Sequence, residues 1–317
     1  MVDATGKQNI KVAALDLGSN TFRLLIARFE GDKPSLLLKR NITVQLGRGL
    51  GAGSALSSDS VKRACAALRE FKAEIDRHQP DCLRCCGTEA LRRAADADEF
   101  LDEATEILGV GVEVIDGAQE ASLTYRGVLA SLDEKHIPYP ILVIDVGGSS
   151  TELIYGESIS LPPVSVSLAA GAGLFTELAE RGALGASLDL MRSGLGDFLA
   201  GRNLEPARIS LVGAGGTATA MAMLDLGLDH YDQKRVQGHF LSRAALRRIL
   251  AELRDLPVAA LKFLPGLEEG RGAIILAGIE IYQEILATIE VDGMIVSDFG
   301  LLEGIMMSCP EHHSSPR

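Results

Sequence analysis

Residues 141–155 read ILVIDVGGSSTELIY, and the rest of the chain is organised around them. The run predicts a buried strand, a turn of small residues and a second strand. Asp145 ends the first strand and Glu152 opens the second, with Gly147, Gly148, Ser149, Ser150 and Thr151 between them. Glycine lets backbone N–H groups approach an anion closely, and hydroxyls add donors. Carboxylates flanking such a turn point to a divalent metal held beside a phosphate.

The pattern occurs earlier, in AALDLGSNTFRLLI at residues 13–26. Placing Asp16 on Asp145 puts Gly18 on Gly147, Asn20 on Ser149, Arg23 on Glu152 and Leu24 on Leu153. One Asp-x-Gly hairpin is an ordinary turn signal. Two matched copies, each opening about half the chain, indicate a duplicated domain with a phosphate-holding hairpin in each half. The expected fold is α/β: two related domains that face one cleft.

The chain has 317 residues, 47% apolar and 23% charged, enough for two domains with separate cores. No apolar run approaches the roughly 20 residues that span a bilayer. MVDATGKQNIKV at the N-terminus has no apolar segment suited to a signal peptide, so no membrane partner and a cytoplasmic location are expected. Five cysteines agree with a reducing compartment. Cys82, Cys85 and Cys86 cluster, but no second pair completes a zinc site; they read as buried thiols on a strand. The net charge of −12 argues against nucleic acid as a partner. A polyanionic substrate therefore needs locally concentrated arginines and help from a metal.

Strands are predicted at residues 11–17, 22–29 and 34–46, then a helix capped by Ser57 or Ser58 and running to His78. A strand at 81–86, helices around Arg92 and over 100–108, a strand at 112–115 and a helix at 117–132 follow. The segment from Asp133 to Pro140 reads as a linker, giving domains at 1–135 and 136–300. The second half restarts with strands at 141–147, 151–156 and 162–168. Helices at 172–181 and 187–200, a strand at 209–212, four helical stretches and a strand at 292–297 complete it. A short last helix and tail at 301–317 are expected to pack back on the first domain.

Gly213-Ala-Gly215-Gly216-Thr217 is a third candidate phosphate loop, a strand entering a glycine turn and a helix N-terminus. Glu120 starts a helix that leads into the linker, where a carboxylate suits a general base on a water attacking phosphorus. Arg23, Arg40, Arg48 and Arg92 lie in or beside loops of the first half and together make a plausible phosphate clamp.

Taken together, these motifs resemble the exopolyphosphatase / guanosine pentaphosphate phosphohydrolase family. Asp16-Leu-Gly-Ser19-Asn20-Thr-Phe-Arg23-Leu24 resembles its opening DxGSNxxRL, and the segment ending in Arg92 resembles its ATxAxR. Gly117-Ala-Gln-Glu120-Ala-Ser-Leu resembles its GxEEAxL helix, and Asp145 to Glu152 its DIGGGSTE hairpin. Ser167, Gly171, the 213–217 turn and Ser297 to Gly304 also fall in register, so the resemblance covers residues 10–308. It implies the actin and sugar-kinase superfold, with two duplicated ribonuclease-H-like domains around a central cleft. It further implies Glu120 as catalytic base and Asp145 and Glu152 as carboxylates serving Mg2+. Asp16, Ser19, Asn20, Arg23, Arg92, Gly147, Gly148, Ser149, Ser150, Thr151, Gly215, Gly216 and Thr217 are the implied phosphate cradle.

The expected activity is magnesium-dependent removal of terminal phosphate from inorganic polyphosphate. Guanosine pentaphosphate hydrolysis is the second reading, and a non-catalytic sensor of guanosine penta- or tetraphosphate or another nucleotide the third. A homodimer is possible by analogy with relatives. The chain departs from the family pattern at Ser149, in place of a third glycine, and at Leu174 and Leu302, in place of arginines. Near Arg271 an acid is missing. At 317 residues the chain looks like the family's short form.

Overall fold

The computed structural model describes residues 9–31, 33–50, 54–132, 137–158, 161–202, 208–261, 263–264, 267, 272 and 274–313. It divides into two compact units, Met1–Gly127 with Leu301–Arg317, and Val128–Gly300. In chain order the first unit runs β1 (Asn9–Leu17), β2 (Thr21–Glu30), β3 (Lys33–Thr43), α1 (Ser58–His78), β4 (Cys82–Gly87), α2 (Glu89–Arg93), α3 (Ala97–Leu108), β5 (Glu113–Val114) and α4 (Gly117–Ser131). The division falls inside α4. There follow β6 (Ile141–Val146), β7 (Thr151–Gly156), β8 (Val164–Leu168), α5 (Ala172–Glu180), α6 (Leu184–Leu199), β9 (Ser210–Ala214), α7 (Gly215–Leu226) and α8 (Gln233–Val236). Last come β10 (Phe240–Ser242), α9 (Arg243–Arg254), α10 (Val258–Leu261), α11 (Ile275–Ile289), β11 (Gly293–Val296) and α12 (Leu301–His313).

The first sheet has the order β3-β2-β1-β4-β5, and the second β10-β11-β9-β6-β7-β8. In each, a three-stranded antiparallel meander continues into parallel strands through its first strand. The duplication read from two short hairpins thus extends to the connectivity of both sheets, the ribonuclease-H-like order. Strand β10 is an addition at one edge of the second sheet.

Strand β1 reads as a nearly continuous apolar run because both faces of its sheet are covered. Ala13, Leu15 and Leu17 pack with Leu68, Phe71 and Ile75 of α1 and Phe100 and Leu108 of α3. Ile10, Val12 and Ala14 pack with Leu301, Leu302, Ile305, Met306 and Cys309 of α12. Helix α1 starts where Ser57 Oγ accepts from Ser60 N, and stops at Gln79, whose φ of 48° is left-handed, just before Pro80. Helix α12 seats against α4 through Gly304, where an added Cβ would lie 1.9 Å from the Leu123 carbonyl oxygen.

In the second unit α5, α6, α7, α9 and α11 enclose a second core over the sheet. Helix α7, apolar nearly all round, buries Ala218, Ala220, Met221, Ala222 and Met223. Three elements differ from the sequence reading. Helix α8 and strand β10 lie where the sequence shows only a polar stretch, and the expected short last helix, α12, runs to 13 residues. No helix among the described residues is long and apolar enough to cross a membrane.

Candidate active site

In the first unit the β1–β2 hairpin places Asp16 opposite Arg23 in register. Asp16 is 2% exposed, and its Oδ2 accepts from Arg23 Nη1 at 3.1 Å. Through this oxygen the carboxylate orients Arg23. Ser19 and Asn20 form the half-buried turn, which the following loop holds from outside. Gly47 N donates to the Ser19 carbonyl at 2.8 Å, and Val44 N and Gln45 N both donate to that of Asn20 at 2.9 Å.

Glu120 lies in the first turn of α4, and its Oε2 accepts from Arg92 Nη1 at 2.7 Å. Arg92 also donates to the Ile115 carbonyl at 2.8 Å and to Glu89 at 3.3 Å. Burial by itself would lower the Arg92 pKa; the Glu120 and Glu89 carboxylates outweigh it and raise it. Arg92 and Glu120 are thus one unit, a half-buried charged pair at the ends of α2 and α4. Arg40 departs from the expected clamp. It donates to Glu70 and Glu74 on α1 at 3.3 and 3.2 Å, an exposed strut between β3 and that helix. Arg48 is exposed and bonds the Gln45 side chain at 3.2 Å.

In the second unit the register pairs Asp145 with Glu152 across the hairpin, so both carboxylates share one sheet face. Glu152 is 8% exposed, and its Oε1 accepts from Ser150 Oγ at 2.7 Å and Ser167 Oγ at 2.8 Å. The turn is pressed onto α5. An added Cβ on Gly171 would lie 2.4 Å from Ser149 N, and Ala172 N and Leu174 N donate to the Gly147 and Gly148 carbonyls at 2.9 Å. Gly147 N closes the turn on the Ser150 carbonyl at 2.9 Å.

The 213–217 turn meets this hairpin directly, since β9 runs parallel to β6 with Ala214 opposite Asp145. Gly215 has φ +78°, and an added Cβ there would lie 2.3 Å from Asp145 Oδ1. Asp145 therefore lies against the N-terminus of α7, where the helix dipole favours negative charge. Tyr282 of α11 is fully buried behind it, its hydroxyl 3.0 Å from the Ile144 carbonyl and 3.2 Å from that of Ala214. Burial, then the Asp145 charge, hold the Tyr282 pKa well above its ordinary value.

The side-chain hydroxyls of two residues in the expected phosphate cradle are committed to the fold. Thr151 is fully buried with its hydroxyl on the Ala170 carbonyl. Thr217 is 1% exposed, and its hydroxyl donates to the Val146 carbonyl at 2.8 Å, tying α7 to β6. Ser150 serves as a donor to Glu152. Ser167 and Tyr282 carry no role in the sequence reading yet build the site. Ser167 was legible in the alternation of Val164 to Leu168, which turns it to the Glu152 face; Tyr282 sits in an apolar helix with nothing to mark it. Arg271 lies outside the described residues.

Among the described residues no three His, Cys, Asp or Glu side chains cluster as a metal cage. Two carboxylates on one face suit an ion that takes its remaining ligands from water and substrate phosphate, the habit of Mg2+. Cys85 and Cys86 are buried thiols on β4, with Cys82 half-buried beside them.

The profile of the Ppx/GppA phosphatase family matches residues 25–313. Over 305 residues the chain is 31% identical to the guanosine-5'-triphosphate,3'-diphosphate pyrophosphatase of Vibrio campbellii, covering 93% of this chain and 58% of that protein. The chain thus spans little more than half the length of that curated relative. The PPX-GPPA enzyme of Aquifex aeolicus matches at 30% identity with a TM-score of 0.77, over 95% of this chain and 100% of that one. A solved exopolyphosphatase-like protein matches at 29% identity with a TM-score of 0.83, over 95% and 98%. The order of strands in both sheets, the two Asp-x-Gly hairpins and these matches place the chain in the Ppx/GppA phosphatase family.

Proposed function

We propose that the chain hydrolyses a terminal phosphoanhydride, with guanosine 5'-triphosphate 3'-diphosphate as the first substrate to test. The observation that carries the chemistry is the Glu120–Arg92 pair, 2.7 Å apart and only 15% and 22% exposed. A carboxylate fixed by a guanidinium is positioned to take a proton from an attacking water. An arriving phosphate competes for the same guanidinium fork, which loosens Glu120 as substrate binds. The choice of substrate follows the Vibrio campbellii relative, which aligns with 93% of this chain. Inorganic polyphosphate is the second reading, supported by the name of the exopolyphosphatase-like structure.

Asp145, and Glu152 through water, would hold Mg2+. The ion would neutralise charge on the transferred phosphoryl group, which in phosphoryl transfer matters more than covalent help. The candidate phosphate contacts are Arg23, oriented by Asp16, in the first unit, and the turns at Gly147 to Ser150 and Gly215 to Gly216 in the second. The hydroxyls of Ser150 and Ser167 both donate to Glu152 Oε1 and fix its orientation.

The test is phosphate release from both substrates, with and without magnesium, by wild type and Glu120→Ala. Loss of a general base lowers turnover by roughly 10²–10⁴-fold. Magnesium-dependent release that survives intact in Glu120→Ala would remove Glu120 from the mechanism. No release from either substrate by wild type would overturn the hydrolase reading.

A further inference from the structure

Helices α6, α9 and α11 of the second unit line an open surface pocket of about 400 Å³. Its wall carries Arg192 from α6, Arg243, Arg247 and Arg254 from α9, and Glu280, Gln283 and Glu284 from α11. On α9 the three arginines share one stripe, while Leu246, Ile249 and Leu253 bury the other. On α11 these side chains lie on the face turned away from Tyr282 and the Asp145 strand. The cavity is therefore distinct from the candidate active site.

Two of the four arginines are neutralised. Arg192 forks onto Glu284 at 2.7 and 3.1 Å, and Arg254 reaches Glu280 at 2.6 Å. Among the described residues the side chains of Arg243 and Arg247 make no ion pair or hydrogen bond. The wall keeps an excess of positive charge, in a chain of formal charge −12. On the same wall Gln283 Nε2 is buried without a hydrogen-bond partner among the described residues, a donor lacking its acceptor.

The placement of the arginines is also electrostatically unfavourable. Helix α9 begins at Arg243, has no acid in its first turn, and carries Arg247 one turn later. Cations in the first turns oppose the helix dipole. Arginines that only solubilise gain nothing from this position. Local rules broken beside a concavity, with no compensating contact, mark a site built for something else.

We propose that this cavity binds a small, multiply charged oxyanion, a short run of phosphate groups either free or carried by a nucleotide. Arg243 and Arg247 supply planar forks that match phosphate oxygens, and the Gln283 amide supplies a third donor. The volume lies at the lower end for ligand pockets and has room for a di- or triphosphate.

Inorganic tripolyphosphate and, in a second arm, GDP would be titrated calorimetrically into the full chain in EDTA, where hydrolysis is suppressed. Wild type and Arg243→Ala/Arg247→Ala are compared. The expected result is one more equivalent bound by wild type than by the variant. Loss of that equivalent in both arms assigns recognition to phosphate alone; loss in the GDP arm alone assigns it to a nucleotide. Equal stoichiometry and affinity in the two proteins, or no binding to wild type in either arm, overturns the proposal. Among the described residues both substituted side chains lack partners, so the melting temperature should stay level or rise. Arg247→Glu, at an exposed position, provides a single-residue check with at least tenfold weaker binding expected. Because no turnover is read, failure here leaves the hydrolase reading untouched.

Discussion

Replacing Gly215 by alanine tests whether the 213–217 turn serves the fold or the Asp145 carboxylate. Gly215 has φ +78°, and its added Cβ would lie 2.3 Å from Asp145 Oδ1 and 3.1 Å from the carboxylate carbon. Real side-chain contacts begin near 3.0 Å, so the carboxylate must retreat by about 0.7 Å, the difference 3.0 − 2.3. Left-handed backbone costs a non-glycine residue about 1–2 kcal/mol. Stiffening the unfolded chain returns about 0.4–1 kcal/mol. The net loss of stability should be at most about 1.6 kcal/mol, because the colliding atom ends a side chain that can swing. Turnover should suffer far more, since a misplacement near 1 Å can cost about 10²-fold. Denaturant midpoints and phosphate release would be measured on the same preparations. A stability loss in the expected range with turnover within threefold of wild type would refute the idea that Asp145 must stand where Gly215 permits.

Gly304→Ala should act in the opposite sense, on the fold before the chemistry. Its added Cβ would lie 1.9 Å from the Leu123 carbonyl oxygen and 2.5 Å from the carbonyl carbon, and backbone cannot swing aside. Overpacking of this kind costs about 1–3 kcal/mol, and lifting the face of α12 with Leu302, Ile305 and Met306 off the sheet would add to it; a denaturant midpoint unchanged within error would exclude the contact. Cys82 should be the reactive thiol. Its hydrogen bond with Cys309, aided by Arg84 and opposed by burial, lowers its pKa to about 7, so thiolate predominates above that pH. Iodoacetamide should alkylate Cys82 with a midpoint near pH 7, while burial pushes Cys86 up to about 12 and keeps Cys85 well above its ordinary value. A midpoint for Cys82 in the ordinary thiol range would show that the Cys309 contact does not stabilise its thiolate.

The duplicated hairpins were legible because each joins two strong local signals, an apolar run and an Asp-x-Gly turn, and because the two copies repeat in register. Helix α8 and strand β10 were not. Four residues capped by Asp232 and three residues on a sheet edge are too short to show a period. Strand β10 exists because it pairs with β11, and Gly238 N donates to the Val296 carbonyl. The inward turn of the Thr151 side chain has a simpler cause. Thr151 and Glu152 are consecutive on a strand and must face opposite sides. Once Glu152 is set beside Asp145, Thr151 belongs to the core, a deduction open to the sequence alone. Arg40 and Lys39 divide in the same way, Arg40 to α1 and Lys39 to Glu303 of α12 at 3.0 Å.

Leu302 shows why a missing arginine is a weak argument by itself. The resemblance sets an arginine at this position, and its replacement reads as the loss of part of an anion clamp. In the structure Leu302 is 3% exposed and packs with Leu301, Ile305 and Met306 against the first sheet. An arginine there would have to carry its charge out of an apolar cluster or take a partner with it. The neighbouring charged position, Glu303, is 3% exposed and is held by Lys39. The segment in this chain has been turned to packing, with Gly304 admitting the helix against Leu123 and Leu302 filling the space beneath. What the first unit offers an anion rests on Arg23 and Arg92 instead, and each is already oriented by a carboxylate, Asp16 and Glu120. Under the proposed function an incoming phosphate competes with those carboxylates, and substrate binding at Arg92 would release Glu120. That coupling does not need the absent arginine.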